Sequence, residues 1–183
     1  LARVDAPDTP DSIVFDLDPG DKTDILACAE VDLILHDLLD KLRLKSYVKT
    51  SGKKGLHVYV PLNRKETTFD DTKKFSKAVS VLMQKDYPDL VTAKMAKEFR
   101  KGKVFINWAQ NDSKKTMVCI YSLRAAKQPM ISFPLSWKEL EKLSQKGNPA
   151  KFHVLYSEAL RRVKKHSDLF KEMLIKKQKL PHL

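Results

Sequence analysis

The stretch Ile13-Val14-Phe15-Asp16-Leu17-Asp18-Pro19-Gly20 decides the fold: it is a hydrophobic run that reads as a buried strand stopped by a turn. Successive side chains of a strand point to opposite faces, so Ile13, Phe15 and Leu17 share one face while Val14, Asp16 and Asp18 share the other. The two acids therefore project together, about 7 Å apart at their Cα atoms. Two like charges held so close on a buried strand call for a cation between them, and hard oxygen ligands suit Mg²⁺ or Mn²⁺. The plainer alternative is that Asp18-Pro19-Gly20 only opens a turn and Asp16 is a solvated strand end.

The surrounding chain has 183 residues, 42% of them hydrophobic, which is enough for one substantial core. Its 35 Lys and Arg against 23 Asp and Glu leave a charge of +12, which favours a polyanionic partner such as nucleic acid or a phosphate-rich substrate. Eight of those basic residues, against two acids, fall between Arg161 and Lys179, so a basic helical C-terminal part is expected. The two cysteines, Cys28 and Cys119, are too few for a disulfide framework and form no ligand-spaced cluster with the histidines. A reduced, cytoplasmic setting without membrane attachment is the expectation, since neither a membrane span nor a signal peptide is visible.

After the first strand, Asp21 or Thr23 is placed to cap a helix reaching about Leu44, with Ile25, Leu26, Ala29, Leu33, Leu38 and Leu42 as its apolar residues. Ser46 to Lys49 and Leu56 to Leu62 read as strands joined by the turn Ser51-Gly52-Lys53-Lys54-Gly55. A second helix begins at Asp70 or Asp71 and stops at Pro88, and a third is expected from Pro88-Asp89 with Val91, Met95 and Phe99 spaced by four. Lys103 to Trp108 returns to strand, with Val104, Ile106 and Trp108 on one face and Phe105 and Asn107 on the other. Met117 to Tyr121 is expected to pair with it. Ser136-x-x-Glu139 forms a capping box for a helix over Trp137 to Leu143. These elements give an α+β domain in which helices cover one face of a mainly antiparallel sheet.

Two more segments carry polar residues opposite an apolar set. Ser51 to His57 concentrates a hydroxyl, turn amides, two ammonium groups and an imidazole, all of them phosphate-binding groups. Phe105-Ile106-Asn107-Trp108-Ala109-Gln110-Asn111 ends a strand in amides. Asp16, Asp18, His57 and Asn107 thus share one parity, and the free face of the sheet becomes a candidate catalytic platform.

Phe15 to Gly20, Thr50 to Leu62, Val104 to Asn111 and Tyr121-Ser122-Leu123-Arg124 together closely resemble the primase-polymerase domain of bacterial ATP-dependent DNA ligase D, in the archaeo-eukaryotic primase superfamily. The resemblance runs in order through nearly all of residues 1–183, and it implies an RRM-like primase catalytic core without the family's N-terminal part. It implies a nucleotidyltransferase of non-homologous end joining, bacterial and nucleoid-associated, that extends a primer 3′-hydroxyl at gapped or broken DNA ends with NTP or dNTP. Ku protein and a ligase domain are the implied partners. Asp16, Asp18 and the Asn107 position would hold two Mn²⁺ or Mg²⁺ ions. Ser51, Lys54, Gly55, His57, Gln110 and Arg124 would contact the nucleotide, chiefly its triphosphate. The family has a third Asp where this chain has Asn107, so a neutral amide replaces a carboxylate.

That departure keeps a second function open: a catalytically weakened nucleotide- or DNA-binding module. A third reading is an aspartyl-phosphate phosphohydrolase, because Phe-Asp-Leu-Asp also opens the haloacid-dehalogenase motif. That motif continues with Gly-Thr, whereas Asp18 is followed by Pro19-Gly20.

Overall fold

The computed structural model describes residues 1–125 and 128–181. In chain order the elements are β1 (Ala2–Arg3), β2 (Ala6–Pro10), β3 (Ser12–Pro19), α1 (Ile25–Lys41), β4 (Tyr47–Thr50), β5 (Leu56–Pro61), α2 (Phe69–Asp86), β6 (Val91–Thr92), β7 (Val104–Asn107), β8 (Leu123–Arg124), β9 (Met130–Ile131), β10 (Pro134–Leu135), α3 (Trp137–Gln145) and α4 (Tyr156–His166). Six strands form the central sheet in the order β10-β4-β5-β3-β7-β6, antiparallel at every pairing except β6 with β7. The α+β architecture and the antiparallel bias are as the sequence implies.

The apolar parity of the strands builds the core. Ile13, Phe15 and Leu17 from β3, Leu56, Val58 and Val60 from β5, and Val104 and Ile106 from β7 are fully buried. They meet the stripe Ile25, Cys28, Ala29, Val31, Leu35 and Leu39 of α1 and the stripe Phe75, Val79 and Met83 of α2. Each fully buried side chain of this size contributes about 1.5–3 kcal/mol relative to exposure. One member of the α1 stripe is polar: Asp32 is fully buried with no hydrogen-bond partner for either oxygen. Burial pushes its carboxyl well above the usual range.

Local chemistry sets the boundaries. The α1 cap is Asp24, whose side chain accepts from Leu26 N–H, rather than Asp21 or Thr23, and the helix stops at Lys41. Helix α2 starts one residue earlier than expected, because Thr68 caps it and Asp71 returns the bond to the Thr68 amide. In α3 only half of the expected box forms: Ser136 caps Glu139 N–H, while the Glu139 carboxylate takes Arg162 instead.

Three expected elements differ. Val91 and Thr92 form strand β6 beside Val104 and Phe105 rather than opening a helix, and only the single 3₁₀ turn Lys97–Arg100 follows. The four-residue spacing of Val91, Met95 and Phe99 mimicked a helical stripe, yet only Val91 is buried. Met117 to Tyr121 is irregular, and Leu123 and Arg124 pair with Met130 and Ile131. Trp108 leaves the strand into the 3₁₀ turn Trp108–Gln110, where its indole N–H donates to the Ala93 carbonyl. The basic C-terminal part is α-helical only to His166, with a single 3₁₀ turn over Lys171–Leu174 after it. Between the two, Phe170 packs on Tyr47 and Tyr59, covering one end of the sheet's second face. No helix among the described residues is long and apolar enough to cross a membrane.

Candidate active site

Strand register brings the polar residues together in one transverse row. Lys49 of β4 lies opposite His57 of β5, His57 opposite Asp16 of β3, and Asp16 opposite Asn107 of β7. Neighbouring strands are separated by about 4.8 Å, so four polar side chains stand side by side on the face away from α1 and α2. Asp16, His57 and Asn107 share the face that strand alternation assigns them, and Lys49 of β4 joins them there. The next row on this face is apolar, with Tyr47, Tyr59 and Val14 in register. Asn111, fully buried, fixes that row by accepting from Val14 N–H and donating to the Val14 carbonyl.

Asp16 is held from both sides. His57 Nε2 lies 3.3 Å from one of its oxygens and Asn107 Nδ2 donates to the other at 3.2 Å. His57 is 4% exposed, and its Nδ1 is buried without a partner. Burial lowers its pKa against the opposing pull of Asp16, and Lys49 lowers it further, which favours a neutral ring donating from Nε2. Asp18, two residues along, is raised to about 6, first by withdrawal from water and then by the charge of Asp16, with Arg100 opposing. Two carboxylates on one face of β3, two residues apart, suit a divalent cation. Among the described residues no three His, Cys, Asp or Glu side chains form a metal cluster, and the residue opposite Asp16 on β7 is the neutral amide Asn107.

The Ser51–Gly55 turn abuts this edge. Ser51 N–H donates to the Gly55 carbonyl, and Ser51 Oγ accepts from the amides of Lys53 and Gly55 at 3.1 Å each. Those two amides, expected to face an anion, are thereby used inside the turn, while the Lys54 side chain is exposed beside it. Gly55 must be glycine: a Cβ there would sit 2.1 Å from the Leu17 carbonyl oxygen and 3.5 Å from an Asp18 oxygen. The turn thus rides directly on the strand that carries both acids. Gly52 has φ of +72°, and its missing side chain leaves room for Arg124, whose charge acts on both Lys49 and His57. Of the expected nucleotide contacts, Ser51, Lys54, Gly55, His57 and Arg124 gather around the row. Gln110 sits one 3₁₀ turn beyond Asn107 and donates to the Thr116 carbonyl.

Two residues escape the motif reading. Lys49 is fully buried in the row, its ammonium 2.5 Å from Ser132 Oγ, and burial lowers its pKa to about 7. The alternation Tyr47-Val48-Lys49-Thr50 carries its parity, but only cross-strand register places it beside His57. Arg100 stacks its guanidinium on Phe105, 3.7 Å from the ring centre, bonds the Met95 carbonyl and lowers the pKa of Asp18. Phe105 is opposite Asp18, so Arg100 borders the acidic edge.

With that geometry in place, the chain's relatives can be compared. The model of the LigD primase-polymerase domain matches residues 1–170. The multifunctional non-homologous end joining protein LigD of Mycobacterium bovis and its counterpart, named a DNA repair protein, in Mycobacterium tuberculosis are each 37% identical over 161 residues. The match covers 88% of this chain and 20% of each relative, so the chain spans about a fifth of their length. The polymerase domain of Mycobacterium tuberculosis ligase D, solved in complex with DNA, superposes with a TM-score of 0.81 at 36% identity, over 89% of this chain and 54% of that one. Matched along most of its sequence and in its fold, this chain belongs to the LigD primase-polymerase domain family.

Proposed function

We propose that this chain performs primase-like nucleotidyl transfer at DNA ends, adding a nucleotide to a primer 3′-hydroxyl with release of pyrophosphate. The observation that carries the reading is the juxtaposition of Asp16 and Asp18 with the Ser51–Gly55 turn through the Gly55–Leu17 approach. It sets an acidic, cation-binding edge beside an ammonium, a hydroxyl and a guanidinium. Asp16 and Asp18 hold Mn²⁺ or Mg²⁺, with the Asn107 carbonyl as a neutral third donor once its amide turns over. Such ions, when bound, lower the pKa of a 3′-hydroxyl and neutralise charge on the phosphates. His57 orients the Asp16 carboxylate through Nε2. Lys54, the Ser51 hydroxyl and Arg124 bind the triphosphate, and Gln110 borders it. The relatives' names, a non-homologous end joining protein and a ligase D polymerase domain in complex with DNA, support DNA ends as the substrate, while a ligase domain and Ku as partners rest on the family resemblance alone.

One observation favours a second reading, a nucleotide-binding module with weakened catalysis. Residue 107 is Asn, so the site has two carboxylates where the resemblance implies three, and its amide N–H faces Asp16. The test is extension of a primed, 5′-phosphorylated gap by this chain with NTPs and Mn²⁺. Extension supports the first reading. Extension gained only by Asn107→Asp supports the second. No extension by either, together with no nucleotide binding, overturns both.

A further inference from the structure

Away from the catalytic row, α3 and α4 enclose a cleft of about 410 Å³ floored by Phe133 and Tyr121. Its walls are cationic. Lys138 and Lys142 stand one helical turn apart on α3, and Arg161 and Lys165 stand one turn apart on α4, each pair separated by about 6 Å along its axis. With Arg162 this makes five Lys and Arg against two acids, Glu139 and Glu158. Both acids are already neutralised. Arg162, stacked over Phe133, grips Glu139 with contacts of 2.5 and 2.6 Å, and Arg161 holds Glu158 at 2.8 and 2.9 Å. Among the described residues Lys138, Lys142 and Lys165 have no carboxylate within ion-pair distance.

The arrangement differs from an ordinary solvated helix surface. There, basic residues alternate with acids that pair with them. Here Glu139 is spent on tying α3 to Arg162 of α4 and Glu158 on Arg161 within α4, and three lysines remain facing one concave space. The charges are spread along two ridges rather than focused on a point, and lysine supplies mobile point charges rather than a planar fork. That suits a repeating anion better than a single phosphate ion. The cleft is also distinct from the nucleotide's side of the sheet: Ser132 bonds Lys49 of the row, while the next residue, Phe133, floors the cleft.

We propose that this α3/α4 cleft binds the phosphodiester backbone of a nucleic acid strand outside the catalytic row. The choice of nucleic acid over another polyanion rests on the DNA-end reading of the function. All three lysines are exposed and bond to nothing structural, so substituting them leaves the fold intact.

The test is fluorescence anisotropy of a labelled DNA duplex titrated with this chain at several KCl concentrations. It compares wild type, the cleft pair Lys142→Gln with Lys165→Gln, and a control pair of equal charge change, Lys41→Gln with Lys85→Gln, on the exposed sides of α1 and α2. The cleft pair should lose roughly tenfold in affinity at 0.1 M salt, and its log–log salt slope should fall by about 2, one contact each. The control pair should lose less than twofold, and binding of a fluorescent nucleotide with Mn²⁺ should be unchanged in all three. Equal losses in cleft and control pairs, a wild-type slope in the cleft pair, or no duplex binding by wild type would overturn the proposal. A cleft-dependent slope in a chain that never extends a primer sustains the cleft and removes the catalytic reading.

Discussion

Asn107→Asp probes how the acidic edge is balanced. Asn107 Nδ2 lies 3.2 Å from an Asp16 oxygen, so the substitution replaces an attractive hydrogen bond by two carboxylates at that separation. Two unit charges 3.2 Å apart repel by about 5 kcal/mol at an effective dielectric near 20. Side-chain rotation and partial proton uptake by the new carboxyl relieve part of this. A net loss of about 1–3 kcal/mol at pH 7.5 in EDTA is expected, or roughly 2–12 °C in Tm for a domain of this size. A divalent cation reverses the sign, because a third carboxylate adds charge to the ligand set. A cation at a hundred times its Kd returns about 2.7 kcal/mol. The assay is thermal unfolding in EDTA and across a Mn²⁺ titration. The variant should melt below wild type without metal and respond to Mn²⁺ at lower concentration. Equal melting in EDTA with an unchanged Mn²⁺ response would refute the placement of residue 107 on the ion-binding edge.

Other outcomes follow from the same geometry. Lys49 has a lowered folded pKa, about 7, so the unfolded chain binds more protons between pH 7 and 10 and stability attributable to Lys49 rises with pH over that window. Lys49→Met should flatten that rise by a few kcal/mol, read as the difference between the two denaturation profiles, and parallel profiles would contradict it. Gly55→Ala drives a Cβ into the Leu17 carbonyl and should cost about 1–3 kcal/mol and weaken nucleotide binding, so a variant with wild-type Tm disproves the close approach. Asp32→Ala removes a buried, unpartnered carboxyl from α1 and should raise Tm at pH 7, by about 1–3 kcal/mol of stability, with the gain shrinking as pH falls toward 4. A loss of stability at pH 7 would show that Asp32 has a partner.

Much of this protein was legible from period and punctuation. The alternation of β3, β5 and β7 assigns Asp16, Asp18, His57 and Asn107 to one face whatever the strand order, because side-chain direction in a strand is a local property. The cap at Ser136 and the stop at Pro88 are equally local, whereas the Thr68 cap, also a local signal, is missed by a start placed at Asp70 or Asp71. Where spacing was ambiguous, long-range pairing decided: Val91 joins Val104 in a parallel ladder, and Trp108 turns out of its strand to reach Ala93. The turn amides illustrate the same limit. Composition marks Ser51 to Gly55 as anion-binding, but the fold shows that Ser51 Oγ has claimed two of its N–H groups.

The sequence alone therefore determined the class of the domain, the polar face of its sheet and the residues whose chemistry suits a cation and a phosphate. Only the tertiary structure decided which of them touch. Register across four strands joined Lys49 to His57, Asp16 and Asn107, the absence of a side chain at Gly55 let the turn settle on Leu17, and the packing of α3 against α4 closed a basic cleft around Phe133. The physical reason is that parity and capping are written within a few residues. Register and close approach depend instead on contacts between segments tens of residues apart, which exist only once the core has assembled.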